Sequence, residues 1–198
     1  MAYTPCTTAG LGANIASACD VARLKGYEQL GVIMKKSDID LATSAVSTTN
    51  GRNITSIALL TGKKTAVIYN SKKNPLPFGG TQTAYNRDAD AYDKTVQFYF
   101  EGIGGDAAKQ VVEPLKSDDY VLVLPRKDKR GNGSFQIFGW QNGLSAGNDG
   151  GAQVQDEETG YWLITMTGQE PWAEIALDGG DDYSAAKSAF DALVALAV

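Results

Sequence analysis

The sequence predicts a mainly β, α+β protein: an antiparallel β-sandwich or small barrel with one flanking helix and one C-terminal helix. Three observations carry that expectation. The apolar runs are short and rich in Ile, Val and Phe. At least one of them alternates with the two-residue period of a half-buried strand. The order of elements is strands, one helix, four strands and one terminal helix, which is not the regular β-α alternation of a doubly wound sheet. A chain of 198 residues forms one domain by default. The expectation is an extended N-terminal arm over residues 1–26, then a single sandwich domain over 27–198.

Tyr27 to Met34 opens the strand series. Ile54 to Leu60 and Thr65 to Tyr69 follow, joined by Thr61-Gly62-Lys63-Lys64, and that short connection predicts that the two runs pair as a hairpin. Asn70 to Asp93, with Pro75, Pro77, Gly79 and Gly80, is expected as a long surface loop. Thr95 to Glu101 gives the clearest strand, with Val96, Phe98 and Phe100 on one face and Thr95, Gln97, Tyr99 and Glu101 on the other. Asp106 to Lys116 reads as a helix, started by Asp106 and limited by Pro114. Tyr120 to Leu124 and Ser134 to Trp140 are strands around a turn at Asn132-Gly133, and Asn142-Gly143 offers another corner. After a glycine-rich stretch, Ser145 to Gly151, strands return at Gly160 to Thr167 and Trp172 to Leu177, and Asp181 to Ala197 closes the chain as a helix.

Composition removes several kinds of chemistry. The chain has no histidine, so Ser/His/Asp and Cys/His catalysis and His-ligated zinc do not arise. Cys6 and Cys19 are expected as reduced thiols, because no secretory leader precedes them. The sequons at Asn53 and Asn132 read as turn chemistry in the same context. No run reaches the roughly 20 apolar residues that a bilayer requires. The net charge of −5 is split: residues 1–140 carry +4 and residues 141–198 carry −9, with Lys187 the one cation in the second part. Basic residues are not interleaved with aromatics in one run, which disfavours sequence-specific nucleic-acid readout. The split is expected first as solvated charge on two faces; the sharper reading is that copies stack or ring head to tail, opposite charges facing across a repeated contact.

Other motifs are weaker. Gly102 to Ala107 has the spacing of a dinucleotide fingerprint between a strand and a helix, but the strand alternates and no β-α succession surrounds it. Gly62-Lys63-Lys64-Thr65 lacks the earlier glycine and the following hydroxyl of a phosphate loop. Asp88, Asp90 and Asp93 lack the glycine and terminal glutamate of a calcium loop. Asp156-Glu157-Glu158 is expected in a turn.

The lead-in ending Ala18-Cys19-Asp20, the strand entry Leu24-Lys25-Gly26-Tyr27, the alternating Thr95 to Glu101, and the late runs Gly133 to Gly143 and Gly160 to Gly168 together resemble tail-tube and tail-ring proteins of tailed phages that infect Bacteroidales, including crAss-like phages. That resemblance implies a tail-tube-like sandwich with a flanking helix, and a virion protein assembled in the host cytoplasm. It also implies a homo-oligomeric ring, hexameric or dodecameric, in a tail or head-to-tail connector. Adjacent tail or portal-proximal proteins would be its partners, and genomic DNA would pass it without specific binding. No enzyme activity, catalytic residue, metal, cofactor or membrane partner is expected on this reading. The alternatives are a stand-alone capsid-decorating or carbohydrate-binding sandwich and, further off, a nucleotide-binding enzyme. The expected subunit contact sets Arg126, Lys127, Lys129 and Arg130 of one copy against Asp156, Glu157 and Glu158 of the next.

Overall fold

The computed structural model describes residues 26–48, 51–69, 78, 80–101, 104–129, 133–147, 150–156, 160–178 and 182–197. The expected arm, with both cysteines, lies outside these residues apart from Gly26, and so does Asn132.

Among the described residues, eleven strands and one long helix are arranged about a central sheet. That sheet has the order β11-β8-β7-β1-β4, built from β1 (Leu30–Lys35), β4 (Ala66–Tyr69), β7 (Tyr120–Pro125), β8 (Phe135–Phe138) and β11 (Ile175–Ala176). A second sheet has the order β5-β6-β10-β9, from β5 (Gln82–Asn86), β6 (Ala91–Phe100), β9 (Ala152–Gln155) and β10 (Trp162–Glu170). A ribbon of β2 (Ala45–Val46) and β3 (Ile54–Ser56) completes the set. Every strand pair is antiparallel. The sheets form an open sandwich, not a closed barrel, in agreement with the first of the two architectures expected.

The central sheet is buried on both faces, which explains why β1 and β7 are nearly continuous apolar runs. On one face Val32, Met34, Val121, Val123, Phe135 and Ile137 pack against Ala186, Phe190 and Leu193 of helix α2 (Tyr183–Ala195). Those three helical residues stand four and three apart, the spacing that gathers side chains on one face. The helix starts at Asp182, whose carboxylate accepts from the Ser184 amide at 2.9 Å. On the other face Ile33, Leu122, Leu124 and Phe138 meet Val96, Phe98, Ile164 and Met166 of the second sheet. Val96, Phe98, Ile164 and Met166 sit at alternating, mutually paired positions, Phe98 opposite Ile164 and Val96 opposite Met166.

One short segment stitches the sheets together. Leu144 exchanges backbone hydrogen bonds of 2.9 Å with Tyr120 at the start of β7, and Ser145 exchanges bonds of 3.0 Å with Thr167 in β10. Gly139 makes that approach possible: its φ is +82°, and a Cβ there would stand 2.4 Å from the Tyr120 carbonyl oxygen.

Several expectations need correction. Ile54–Ser56 and Ala66–Tyr69 do not form a hairpin; the first pairs with β2 and the second with β1. The turn between them exists, with Gly62 at φ +77° and the Lys63 amide donating to the Leu60 carbonyl at 3.0 Å. Burial overrides it, because Ile54 belongs to the core under α2 while Ile68 belongs to the core between the sheets. The expected loop at 70–93 contains β5 and the first residues of β6, a hairpin whose corner is an Asx turn: Asn86 Oδ1 accepts from the Asp88 amide at 3.1 Å and the Ala89 amide at 3.3 Å. Residues 70–77 and Gly79 of that loop lie outside the described residues. The expected helix at 106–116 is a short turn, α1 (Gly105–Ala107), that widens into a π turn (Ala108–Val112) and ends in a 3-10 turn (Pro114–Lys116). Asp106 makes no capping hydrogen bond, because Gly104 occupies the cap position. The short strand β9, inside a stretch read as loop and turn, had no apolar run to announce it.

Replacing Gly139 by alanine is expected to cost about 2 kcal/mol or more in urea unfolding, since a strained φ and a backbone clash combine there. Gly62→Ala, whose Cβ would meet nothing within 4 Å, is expected to cost about 1 kcal/mol. Equal losses at the two sites would contradict the stitching role of the Gly139 corner.

Candidate subunit interface

The basic turn expected to meet a neighbour is partly engaged within its own chain. Arg126 follows β7 and bridges to Tyr27. Its guanidinium contacts Glu174 Oε1 at 3.0 Å and donates to Gln136 Oε1 at 2.8 Å, an oxygen that also accepts from the Tyr27 hydroxyl. Burial holds the Tyr27 phenol above its ordinary pKa. Lys129 pairs with Glu28 at 3.0 Å and lies 5.7 Å from the centre of the Tyr183 ring, an exposed pair of modest worth. The hydrogen bond from Lys129 to Glu28 raises the ammonium pKa. Lys127 is exposed, its backbone amide bound to the Gly26 carbonyl at 3.0 Å. Arg130 lies outside the described residues.

On the acidic side, Asp156 is exposed at the turn from β9 to β10, its amide donating to the Tyr161 carbonyl at 2.8 Å. Glu157 and Glu158 lie outside the described residues. This turn precedes Trp162, which pairs with Phe100, and Phe100 shares a cleft with Tyr120 at the start of β7. The basic turn follows the other end of β7. The two turns therefore sit toward opposite ends of the sandwich, and the fold does not bring them together within one copy.

The edges of the second sheet are a feature that charge counting missed. Among the described residues no strand pairs with the outer sides of β5 or β9. Their sequences, Gln82-Thr83-Ala84-Tyr85-Asn86 and Ala152-Gln153-Val154-Gln155, contain no charge and no proline. Tyr85 and Val154 are each 56% exposed. Edge strands of stable monomers are usually blunted by lysine, proline, bulges or a covering element. The central sheet treats its edges differently: β11 is short and buried, and the residue before β4, Thr65, is tied to α2 through the Leu193 carbonyl at 2.7 Å and a bridge to Ala197.

β5 is fastened by a buried lysine, with a buried glutamate close enough to attract it, and sequence reading missed both. Lys94 and Glu170 are both fully buried. Lys94 occupies an inward position of β6 in step with Val96 and Phe98, so the alternation itself marks it once the strand is extended to Ala91. Its ammonium donates to Thr83 Oγ1 of β5 at 3.2 Å and to the Ala173 carbonyl, and lies 6.0 Å from the centre of the Phe138 ring. Glu170 Oε1 accepts from the Gln141 amide at 3.0 Å, while Oε2 has no hydrogen-bond partner. Burial lowers the Lys94 pKa and raises that of Glu170, and the attraction between the two charges opposes both shifts.

Acidic side chains near β5 serve the hairpin. Asp93 accepts from Asn86 at 3.1 Å and Gln169 at 2.8 Å, and Asp90, at φ +46°, accepts from the Tyr85 hydroxyl at 2.9 Å. Gly102 and Ile103 of the fingerprint-like run lie outside the described residues. Among the described residues no group of three or more acidic or cysteine side chains is placed to hold a metal ion, and no helix is long and apolar enough to cross a membrane. Comparison with known proteins gives no matching family model, no matching curated sequence and no matching solved structure.

Lys94→Met removes the hydrogen bonds to Thr83 and Ala173 together with the attraction to Glu170, and is expected to cost about 1 to 3 kcal/mol in chemical denaturation, with Lys94→Met plus Glu170→Leu costing less than the sum of the single changes. Additive losses would show that the two groups do not interact. Because Glu170 is held above its ordinary pKa in the fold, its contribution is present in acid and is lost as pH rises through the raised folded value. The stability advantage of the native chain over Glu170→Gln is thus expected to shrink as pH rises through that window. An advantage that grows over the same range would reverse the assignment.

Proposed function

We propose that this chain is a virion structural protein that forms a homo-oligomeric ring in a phage tail or head-to-tail connector. The observation that carries the reading is the pair of uncharged edges at opposite sides of one sheet, neither of which pairs with another strand among the described residues. β5 and β9 run in opposite directions, because three successive antiparallel pairings separate them. Copies related by rotation about an axis along the strands would thus set β9 of one against β5 of the next as an antiparallel pair. A heterologous contact of this kind repeats until the rotation closes, and the closed form is a ring.

The outward face of the same sheet supports a channel-facing role. By register it presents Thr95, Gln97, Thr165, Thr167 and Gln169, with Asp93 at one end and Tyr99, Leu163 and Val154 at the other, and it carries no lysine or arginine. Binding to phosphate is driven by cations, so DNA would pass such a face without being held. The charge split adds a second contribution, between stacked rings and not within one: Lys127 toward one end of a copy would face Asp156 toward the opposite end of a copy in the next ring.

Light scattering and negative-stain imaging of the purified chain test the reading. Rings or tubes are expected, and a chain that stays monomeric at high concentration contradicts it. Ala84→Lys and Val154→Lys place a charge on exposed edge positions without touching the core. Each is expected to abolish assembly while leaving thermal unfolding within about 0.5 kcal/mol of the parent. Assembly undiminished in both variants would remove the edges from the interface. Raising ionic strength is expected to weaken the stacking of rings to the extent that opposite charges contribute, and salt-insensitive stacking would exclude that contribution.

A further inference from the structure

An apolar cleft of about 600 Å³ opens at the end of the sandwich away from the basic turn. Its walls come from three elements: Ile33 and Ile68 of the central sheet, Phe98 and Phe100 of the second sheet, and Val111 and Leu115 of the helical segment. The cleft falls within the size range of small-molecule sites, which are mainly apolar with few polar groups at defined points. The wall from the helical segment is irregular. The Glu113 amide donates to the Ala108 carbonyl five residues back at 2.9 Å, a π turn of the kind that recurs at functional sites.

The charged groups at the rim indicate what would enter. Lys35 pairs with Asp118 at 2.5 Å, Asp38 pairs with Lys63 at 3.0 Å, and Glu101 is engaged as well. Lys64 is exposed at the rim and has no ion-pair partner among the described residues. Lys64 is thus the rim cation left without an anionic partner among the described residues, beside an apolar interior.

We propose that this cleft binds a small amphiphile with a single alkyl chain and a carboxylate head, the chain lying between the two sheets and the head against Lys64. The proposal is independent of ring formation, because neither β5 nor β9 lines the cleft. An alkyl cation seated the same way would be repelled by Lys64, and an alcohol of the same chain would gain the apolar contact alone.

Titration calorimetry of the full chain with decanoate, decylammonium and decan-1-ol tests it. Saturable one-to-one binding of decanoate is expected, with decylammonium weaker by roughly tenfold, about the worth of one exposed charge contact at each sign. Lys64→Glu is expected to reverse the order of the two ions and leave decan-1-ol unchanged. Val67→Trp, at an exposed position lining the cleft, is expected to abolish binding of all three, with an unchanged far-ultraviolet dichroism spectrum confirming the fold. No saturable binding of decanoate, equal affinity for the two ions, or binding undisturbed by Val67→Trp would each overturn the proposal.

Discussion

The constraint on which the rest depends is that one sheet is buried on both sides. Val121, Leu122, Val123 and Leu124 are all fully buried, two facing the helix and two facing the second sheet. A strand of this kind cannot be stable in a single-layer arrangement, because either face left open would expose a row of large apolar side chains. The helix, the β2-β3 ribbon and the second sheet are therefore not appendages. They are the two covers that the central sheet requires. The Leu144-Ser145 segment, bonded to both sheets, fixes how the second sheet is set over the central one.

That arrangement leaves the second sheet with a different problem. Its inner face is satisfied by the core, but its two edge strands are neutral, and Tyr85 and Val154 stand out from them. The buried Lys94 draws β5 onto the sandwich through Thr83, at the cost of desolvating an ammonium. Burying a charge to position an edge strand is costly for a monomer. It is reasonable for a subunit whose edge is a contact surface. The apolar cleft at the other end is a separate opportunity, bounded by the same two sheets but by neither of these edges.

The strands that pattern reading located best are those with strong apolar content: β1, β6, β7, β8 and β10 all fall within or overlap the runs read from sequence, and the alternation in β6 correctly gave Val96 and Phe98 as inward. The terminal helix and its acidic start were legible for the same reason, since Asp182 caps it. What failed was pairing. A short glycine turn argued locally for a hairpin, yet Ile54 and Ile68 face different cores, and which core a side chain enters is a property of the whole chain. β5 and β9 were invisible because strands with one large apolar side chain each, Tyr85 and Val154, among Gln, Thr, Ala and Asn carry no apolar period. The interface residues expected from charge were legible as charges only. Sequence could not show that Arg126 would turn inward to Glu174 and Gln136, or that Lys129 would meet Glu28.

Amide hydrogen exchange, compared between assembled and dissociated protein, tests the central claim most directly. The account requires the backbone amides of 82–86 and 152–155 to gain protection together on assembly, while 66–69 and 175–176 change little. Protection gained at the edges of the central sheet, with 82–86 and 152–155 exchanging as freely as in the single chain, would contradict it.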